Sequence, residues 1–425
     1  MALAFIGCAK TPQSQTIEDL EKFPQTAQAY IANAQEHTIL LPSQQDYEEK
    51  YFSPWNYTKP PFEREEILWT FRSYTFGKSY GENLQLLDEE WFNEMRVLGN
   101  YEEYGTLNKK AISLSYLNLR NFPTHKPVLR DPEKAGEGFP FDYMQNSGVH
   151  ANEPLFISHL SLNGEWAYIF TAYATGWVPL ADIAFINDKV AQDWQNALHI
   201  ELLEERYPIK DSEGNFVFQS RVGMRLPLIS IESEHYVALT ITAGKNHSAT
   251  YTKVNIPMGI ASERKILINP ENLKKITDLM LRSNYGWGGL YEERDCSSML
   301  RDLYAPFGIW LPRNSSEQSK VGKVISFEDA SIEEKKRIII QEGIPFETLL
   351  YKQGHILLYL GQYQGEITVL HNVWGIKTLN KDGTEGRKVI GKTVISSLEL
   401  GKEREEYDPE KGILSQMKSM NIITQ

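Results

Sequence analysis

The sequence predicts an α+β chain: a helical N-terminal segment, two small β-barrels, and a C-terminal domain in which a helix packs on an antiparallel sheet. Three patterns predict this order. Apolar residues recur at helical spacing before residue 110, short alternating stretches fill most of 111–270, and helical patterns followed by strands occupy 271–425. At 425 residues the chain is long enough for about two to four domains. Because 41% of the residues are hydrophobic, most of the chain is expected to be globular.

The N-terminal part divides into a polar stretch and a helical segment. Residues 1–47 are expected to be a signal remnant and tether, and residues 48–110 are expected to be helical. In the second stretch, apolar side chains lie three or four positions apart around Phe71 and Trp91. That spacing places them on one face of a helix.

Two β-rich stretches flank a predicted linking helix. Residues 111–187 and 207–270 contain short alternating runs broken by Pro, Gly, Asn and Asp, so each is predicted to form a small barrel. The pair Asn163-Gly164 between two such runs is typical of a hairpin turn. Residues 188–206 have a helical pattern and are predicted to connect the two barrels.

Net charge, the length of apolar stretches and the spacing of Cys and His residues argue against several classes of function. The formal net charge of −12 argues against nucleic acid or an anionic membrane surface as a general partner. No stretch approaches eighteen apolar residues, so no membrane-spanning helix is predicted. Neither CxxC nor HExxH spacing occurs, so no metal site is predicted.

The first ten residues, MALAFIGCAK, resemble the end of a bacterial lipoprotein signal, with Cys8 as the lipidated residue. On this interpretation a lipid anchor at Cys8 is the only link to a membrane. The alternative is an ordinary hydrophobic N-terminus that contains a cysteine by chance. A disulfide between Cys8 and Cys296 is less favoured, because two distant cysteines do not form a disulfide framework.

Cys296 is expected in the first turn of a helix. Asp295 is a good N-cap type, and apolar residues follow Cys296 at helical spacing. Unpaired N–H groups and the helix dipole at that position favour an anion, so a lowered thiol pKa and an oxyanion site are predicted. The alternative is that Cys296 is a small buried hydrophobe at a helix start.

A cysteine nucleophile needs a base, and two histidines are the candidates. His355 and His371 lie in alternating runs separated by a Gly361–Gly365 turn. A hairpin centred on Tyr363 would place the two histidines opposite each other, with Cβ atoms about 5 Å apart. One imidazole would accept the thiol proton and the other would orient it. A two-histidine metal site is the alternative, but no carboxylate has matching spacing.

These residues carry a family resemblance. Residues from about 280 to 400 resemble an NlpC/P60 cysteine peptidase, which implies a papain-like catalytic domain. Earlier residues resemble the multidomain branch of that family, with an N-terminal stabilising segment (YFSPWN) and two bacterial SH3-like domains. The matching catalytic blocks, in order, are YGWGG, RDCSSM, LPRNSSEQ, GHILLYLG and VLHNVWG.

The resemblance implies a γ-D-glutamyl-L-diamino acid endopeptidase that acts through a thioester. Cys296 corresponds to the nucleophile, His355 to the base and His371 to the orienting third member. No metal or organic cofactor is implied.

The resemblance also implies a set of substrate-binding residues and a preference for a free N-terminal L-Ala. In place of an acid found in related enzymes, this chain has Asn314. Tyr143 is expected to wall one end of the cleft. The implied substrate-binding residues are Tyr285, Asp295, Ser297, Ser315 and Tyr143.

The expected partners are peptidoglycan stem peptides or released murein peptides. The expected location is extracytoplasmic, in the periplasm or cell envelope, and the chain is expected to be a monomer.

Three rival functions stay open at this stage. The first is a non-catalytic wall-binding protein, which the presence of Cys296 and both histidines disfavours. The second is an amidase, transpeptidase or acyltransferase that uses the same thioester, since water and an amine attack it alike. The third is an intracellular enzyme that recycles short murein peptides, which the N-terminal Gly-Cys sequence disfavours.

Overall fold

A computed structural model of the chain describes residues 17–37 and 44–425, so the predicted lipidation site Cys8 lies outside the described residues. The predicted mixed architecture of helices and sheets is confirmed. Within the described ranges, no helix is long and apolar enough to cross a membrane.

Short helices dominate residues 17–37 and 44–100. Trp55 is 1% exposed, and its indole N–H donates to the Ala111 carbonyl oxygen at 2.8 Å, which fixes the helices to the first sheet. Asp88 caps the longest of them by accepting from Trp91 N. The helices are α1 (Asp19–Lys22), α2 (Gln44–Tyr51), α3 (Ser53–Asn56), α4 (Arg64–Ile67), α5 (Trp69–Ser73) and α6 (Glu89–Leu98).

The first β-rich part is one antiparallel sheet of seven strands, in the order β3-β2-β6-β5-β4-β1-β7. Its inward-facing aliphatic side chains form a separate core. The strands are β1 (Lys109–Ser113), β2 (Leu117–Arg120), β3 (Gln145–Val149), β4 (Pro154–Leu160), β5 (Trp166–Phe170), β6 (Thr175–Pro179) and β7 (Ile183–Phe185).

The second β-rich part is a five-stranded sheet, in the order β13-β12-β11-β8-β14, with a small β9-β10 hairpin beside it. Its core is also separate. The elements are α7 (Asp188–Asn196), β8 (His199–Leu202), β9 (Pro208–Lys210), β10 (Phe216–Gln219), β11 (Arg225–Ile231), β12 (His235–Ala243), β13 (Ala249–Pro257) and β14 (Ala261–Ser262).

The linking helix is shorter than the predicted 188–206. It ends at Asn196, and strand β8 follows it into the second sheet. Glu201 on that strand is 2% exposed and pairs with Arg225 and Lys265, each at 2.8 Å. A glutamate that looks solvent-facing in a helical pattern is therefore a buried, paired residue of a strand.

The C-terminal part packs helices on one antiparallel sheet, in the strand order β15-β20-β16-β17-β18-β19. Apolar side chains of α8, α9 and the sheet share one core. The elements are α8 (Pro270–Met280), α9 (Cys296–Tyr304), α10 (Ser315–Gln318), β15 (Lys323–Ser326), α11 (Ile332–Glu342), β16 (Thr348–Lys352), β17 (His355–Tyr363), β18 (Glu366–Leu379), β19 (Glu385–Ser397) and β20 (Met417–Ile422).

The predicted register of the β17-β18 hairpin is wrong by two residues. Leu358 pairs with Leu370, and a bulge near Gly361 shifts the ladder before the turn. A shift of two keeps alternate side chains on the same face, so His355 and His371 still meet, as diagonal rather than direct partners.

Residues 17–37 do not behave as the predicted tether. They lie against the C-terminal sheet, where Phe23 and Tyr30 are buried in its core. The Gln25 amide donates to the Ile395 carbonyl oxygen and accepts from the Ile395 N–H, at 2.8 and 2.9 Å. This stretch is polar enough to be mistaken for a tether, but its few aromatic residues anchor it.

A buried network of charges joins the C-terminal part to both barrels. Arg294 pairs with Asp302 at 2.8 Å and with Glu205 at 2.7 Å, and Arg221 also pairs with Glu205. On the other side, His150 lies 3.1 Å from Asp302. Burial opposes ionisation of Glu205, but the charges of Arg294 and Arg221 hold its pKa at about 2.

Replacing Arg294 by Met should destabilise the protein strongly, because Glu205 and Asp302 would stay buried without a cation between them. We expect a loss of about 3–5 kcal/mol. The midpoint of urea denaturation measures it. The matched control is Arg282→Met at an exposed position, which should leave the midpoint almost unchanged. Equal effects of the two substitutions would contradict the role given to this network.

Candidate active site

Cys296 is the first residue of α9, and Asp295 is its N-cap, as the sequence predicts. The Asp295 carboxylate accepts from the Ser298 N–H at 2.8 Å, and the Ser298 hydroxyl accepts from the Asp295 N–H at 2.9 Å. The two residues form a capping box that fixes the start of the helix. The N–H groups of Ser297 and Ile356 point at the sulfur.

Two glycines let the loop before the cysteine touch the first barrel. Gly288 and Gly289 have φ angles of 59° and 90°, in the left-handed region. A Cβ on Gly288 would lie 2.7 Å from the Gln145 carbonyl oxygen, and one on Gly289 would lie 2.7 Å from the Gly148 nitrogen. Larger residues would therefore push the loop away from β3.

The predicted lowering of the thiol pKa is wrong for this arrangement. Burial, reinforced by the negative charge of Asp295, raises the pKa of the Cys296 thiol to about 12. Nearby N–H groups and the charge of Arg313 act in the opposite direction and do not outweigh burial. At neutral pH the sulfur is a thiol, so a base must take its proton during the reaction.

His355 and His371 are joined in one hydrogen-bonded chain. His355 Nε2 lies 2.8 Å from His371 Nδ1, and His371 Nε2 lies 3.0 Å from Ser396 Oγ. Burial lowers the pKa of His355 well below its usual value and that of His371 to about 3. Both rings are therefore neutral.

Ser396 sets the tautomer of both rings. Its hydroxyl donates to the Ser397 carbonyl oxygen at 2.8 Å, so toward His371 it can only accept, and Nε2 of His371 carries the hydrogen. Nδ1 of His371 then accepts from Nε2 of His355. Nδ1 of His355 is left without a hydrogen, so it is the ring nitrogen of His355 that can accept a proton.

Two cavities meet at Cys296. The larger, of about 600 Å³, is also lined by Asp295, Ser297 and Ser315. The smaller, of about 250 Å³, is also lined by His355. Each predicted substrate-binding residue lies on a cavity wall, whereas His371 is fully buried behind His355. The residues that line both cavities are Cys296, Tyr143, Tyr285, Trp287 and Gly354.

The thiol and the imidazole face one cavity but are not bonded to each other. In the described residues, no hydrogen bond joins Cys296 to His355, although Ile356, the next residue in β17, directs its N–H at the sulfur. Unliganded sites commonly hold such pairs apart until substrate binds.

Asp295 is already paired, which the sequence did not indicate. Arg313 Nη2 lies 2.7 Å from its carboxylate, and Arg313 Nε donates to Ser147 Oγ of the first barrel at 2.7 Å. Although burial acts against it, this cation keeps the pKa of Asp295 below its usual value. Ser297 belongs to the same group, since its hydroxyl lies 3.1 Å from Arg313 Nη1.

The sequence analysis missed Ser396 and Arg313. Ser396 lies in TVISS, one serine among several, and carries no signal of its contact with His371. Arg313 lies in LPRNSSEQ, a block that did resemble the family, but nothing in the sequence indicates its contact with Asp295, which is 18 residues away.

Comparisons with known families agree with these elements. Residues 282–388 match the model of the NlpC/P60 family, and residues 1–104 match its N-terminal stabilising domain. Residues 127–179 match an SH3 domain of the SH3b1 type, and residues 187–231 match one of the SH3b2 type. The chain belongs to the NlpC/P60 family. It is therefore a hydrolase of the cysteine peptidase class.

One solved structure shares the fold of this NlpC/P60 protein over nearly its whole length. An NlpC/P60 endopeptidase from Photobacterium damselae subsp. piscicida is 22% identical with a TM-score of 0.81, and the match covers 95% of this chain and 98% of that one. An NlpC/P60 family protein from Bacillus cereus is 14% identical with a TM-score of 0.47, covering 66% and 82%. No curated protein matches the chain significantly.

The thiol–imidazole pair should be neutral over the whole physiological range. Because the pKa of His355 lies well below 6.5 and that of Cys296 lies near 12, kcat/KM should stay within about twofold from about pH 6 to pH 9. Alkylation of Cys296 by iodoacetamide, followed by mass spectrometry, should be slow at pH 7 and accelerate above pH 9. A fall in kcat/KM between pH 7 and pH 6, with rapid alkylation at pH 7, would indicate a preformed ion pair instead.

Replacing Ser396 by Ala should lower kcat about tenfold with little change in KM, because His371 loses the acceptor that fixes its tautomer. Ser396→Thr keeps a hydroxyl and should retain more of the activity. Steady-state kinetics of the two variants, with thermal melting as a check of folding, measure the difference. An equal loss in both, or a change confined to KM, would show that Ser396 only fills space.

Proposed function

We propose that this protein hydrolyses the amide bond between γ-D-glutamate and the diamino acid of peptidoglycan stem peptides. The proposal rests on one arrangement of three residues. The thiol of Cys296 lies at a helix N-terminus and shares a cavity with His355, which is hydrogen-bonded to His371. Nucleophile, base and orienting group are the components of a thioester mechanism. The match of residues 282–388 to the NlpC/P60 family supports amide hydrolysis as the reaction.

The first half of the reaction forms the thioester. Cys296 Sγ attacks the γ-carbonyl carbon of D-glutamate while its proton passes to His355 Nδ1. The oxyanion accepts hydrogen bonds from N–H groups in the first turn of α9, including that of Ser297. When the C–N bond breaks, the proton on His355 moves to the leaving amine of the diamino acid.

The second half of the reaction restores the enzyme. His355 takes a proton from water as the water oxygen attacks the thioester carbon. The tetrahedral intermediate collapses, the C–S bond breaks and the thiol of Cys296 is regenerated. The product carries a free γ-carboxylate on D-glutamate.

The larger cavity would hold the L-Ala-γ-D-Glu half of the substrate. Tyr143 packs 5.5 Å from Trp287 and 4.6 Å from the guanidinium of Arg130, so its ring is braced where the two cavities meet. A braced ring at that position would restrict the substrate beyond L-Ala and favour a free amine. Since Asp295 is neutralised by Arg313, the amine would be bound by hydrogen bonds more than by charge.

The site of action would be extracytoplasmic, in the periplasm or cell envelope, on stem peptides or on released murein peptides. Two SH3b-type domains support an envelope location. A lipid anchor at Cys8 and a monomeric state stay predictions.

Cys296→Ala should reduce cleavage of L-Ala-γ-D-Glu-diamino acid peptides by more than about 1,000-fold without loss of folding, because no other group can form the thioester. Liquid chromatography with mass spectrometry would identify the bond that is cut. The same substitution at the other cysteine, Cys8→Ala, is the matched control and should keep full activity. A peptide with an acetylated L-Ala amine should be cut more slowly by the wild type. Cleavage by Cys296→Ala at the wild-type rate would disprove the proposed function.

A further inference from the structure

The smaller cavity beside Cys296 is cationic, although the chain as a whole carries a net charge of −12. We propose that Lys352 and Arg387 form a subsite that binds a side-chain carboxylate on the leaving residue of the substrate. This inference rests on the proposed function and assigns the chemistry of one half of the cleft.

The position of His355 identifies the leaving-group side. His355 protonates the amine that leaves, so that amine must enter a cavity that His355 lines. His355 lines the smaller cavity and not the larger one, whereas Asp295, Ser297 and Ser315 line only the larger one. The acyl half of the substrate therefore occupies the larger cavity, and the leaving residue occupies the smaller one.

Four cations and one acid line the smaller cavity: Lys352, Lys377, Arg387, Lys411 and Asp408. The pKa of Lys352 is lowered by burial and further by the charges of Lys377 and Arg387, which shows that the three cations are close together. A cavity with this excess of positive charge favours an anionic ligand.

Lys352 and Arg387 are half-buried and have unused hydrogen-bonding capacity, whereas Lys377 and Lys411 are exposed. Lys377 lies 2.8 Å from Glu385, whereas Arg387 lies 3.7 Å from the same carboxylate oxygen. Arg387 Nε is buried without a hydrogen-bond partner, and no carboxylate of the described residues lies within 4.0 Å of Lys352 Nζ. A guanidinium and an ammonium with unused donors are suited to a carboxylate ligand, which can accept hydrogen bonds from both.

The leaving residue that fits is a diamino acid with a second carboxylate. Diaminopimelate carries a carboxylate and an ammonium on its distal carbon, whereas lysine carries only the ammonium. The carboxylate would contact Lys352 and Arg387, and Asp408, the single acid of the cavity, would lie near the ammonium. The distal carboxylate is thus the group that distinguishes the two residues.

Three tripeptides test the subsite: L-Ala-γ-D-Glu followed by meso-diaminopimelate, by its distal carboxamide, or by L-lysine. The wild type should cleave the first with a kcat/KM about 10- to 100-fold above the other two, since a charge-assisted hydrogen bond is lost in each of those. Lys352→Gln and Arg387→Gln should each bring the three values closer together. Lys381→Gln removes a charge from an exposed loop outside the cavity and should preserve the wild-type ratios.

The outcomes separate the subsite from the proposed function. Equal rates on the three peptides in the wild type would overturn the subsite and leave the proposed function intact. Cleavage of none of them would overturn the proposed function and the subsite together. An equal loss on all three in folded Arg387→Gln and Lys352→Gln would also overturn the subsite, because a specificity residue changes the ratios. The comparison of the three peptides with the wild-type protein tests the subsite even when a variant does not fold.

Discussion

The buried pairing of Arg294 with Asp302 and Glu205 is the interaction on which the rest of the molecule depends. Arg294 immediately precedes the cap of α9, Asp302 lies on that helix, and Glu205 belongs to the second β-rich part. His150, beside Asp302, extends the contact to the first. Such charges are stable only while each one is paired. The helix that begins at Cys296 is therefore held between the two barrels by paired charges.

The packing around Cys296 also sets the chemistry of its thiol. Cys296 is 9% exposed and belongs to the C-terminal core, and burial makes a thiolate costly. A helix N-terminus alone would favour the anion, but burial and Asp295 outweigh it here. The site consequently holds a neutral thiol beside a neutral imidazole, and Ser396 at the far end of the chain of hydrogen bonds fixes which ring nitrogens carry hydrogen.

Local patterns were enough to predict the parts of the site that depend on sequence neighbours. The N-cap at Asp295 follows from the helix pattern. The shared face of His355 and His371 follows from strand alternation, and the register error leaves it unchanged because a shift of two residues keeps a side chain on the same face. Long-range pairings could not be predicted in this way. Ser396 and Arg387 lie 25 and 16 residues from His371 along the chain, and the folding of β19 alone brings them to the site. The thiol pKa was mispredicted for the same reason, since the burial of Cys296 in the C-terminal core depends on long-range packing that local patterns do not show.

The packing of residues 17–37 against β17 and β19 has a consequence for how the chain is made. Asn33 donates to the Leu360 carbonyl oxygen and Gln25 pairs with Ile395, so these partners are separated by more than 300 residues. During folding, Phe23 and Tyr30 therefore stay exposed to water until β17 and β19 have come together in the C-terminal sheet.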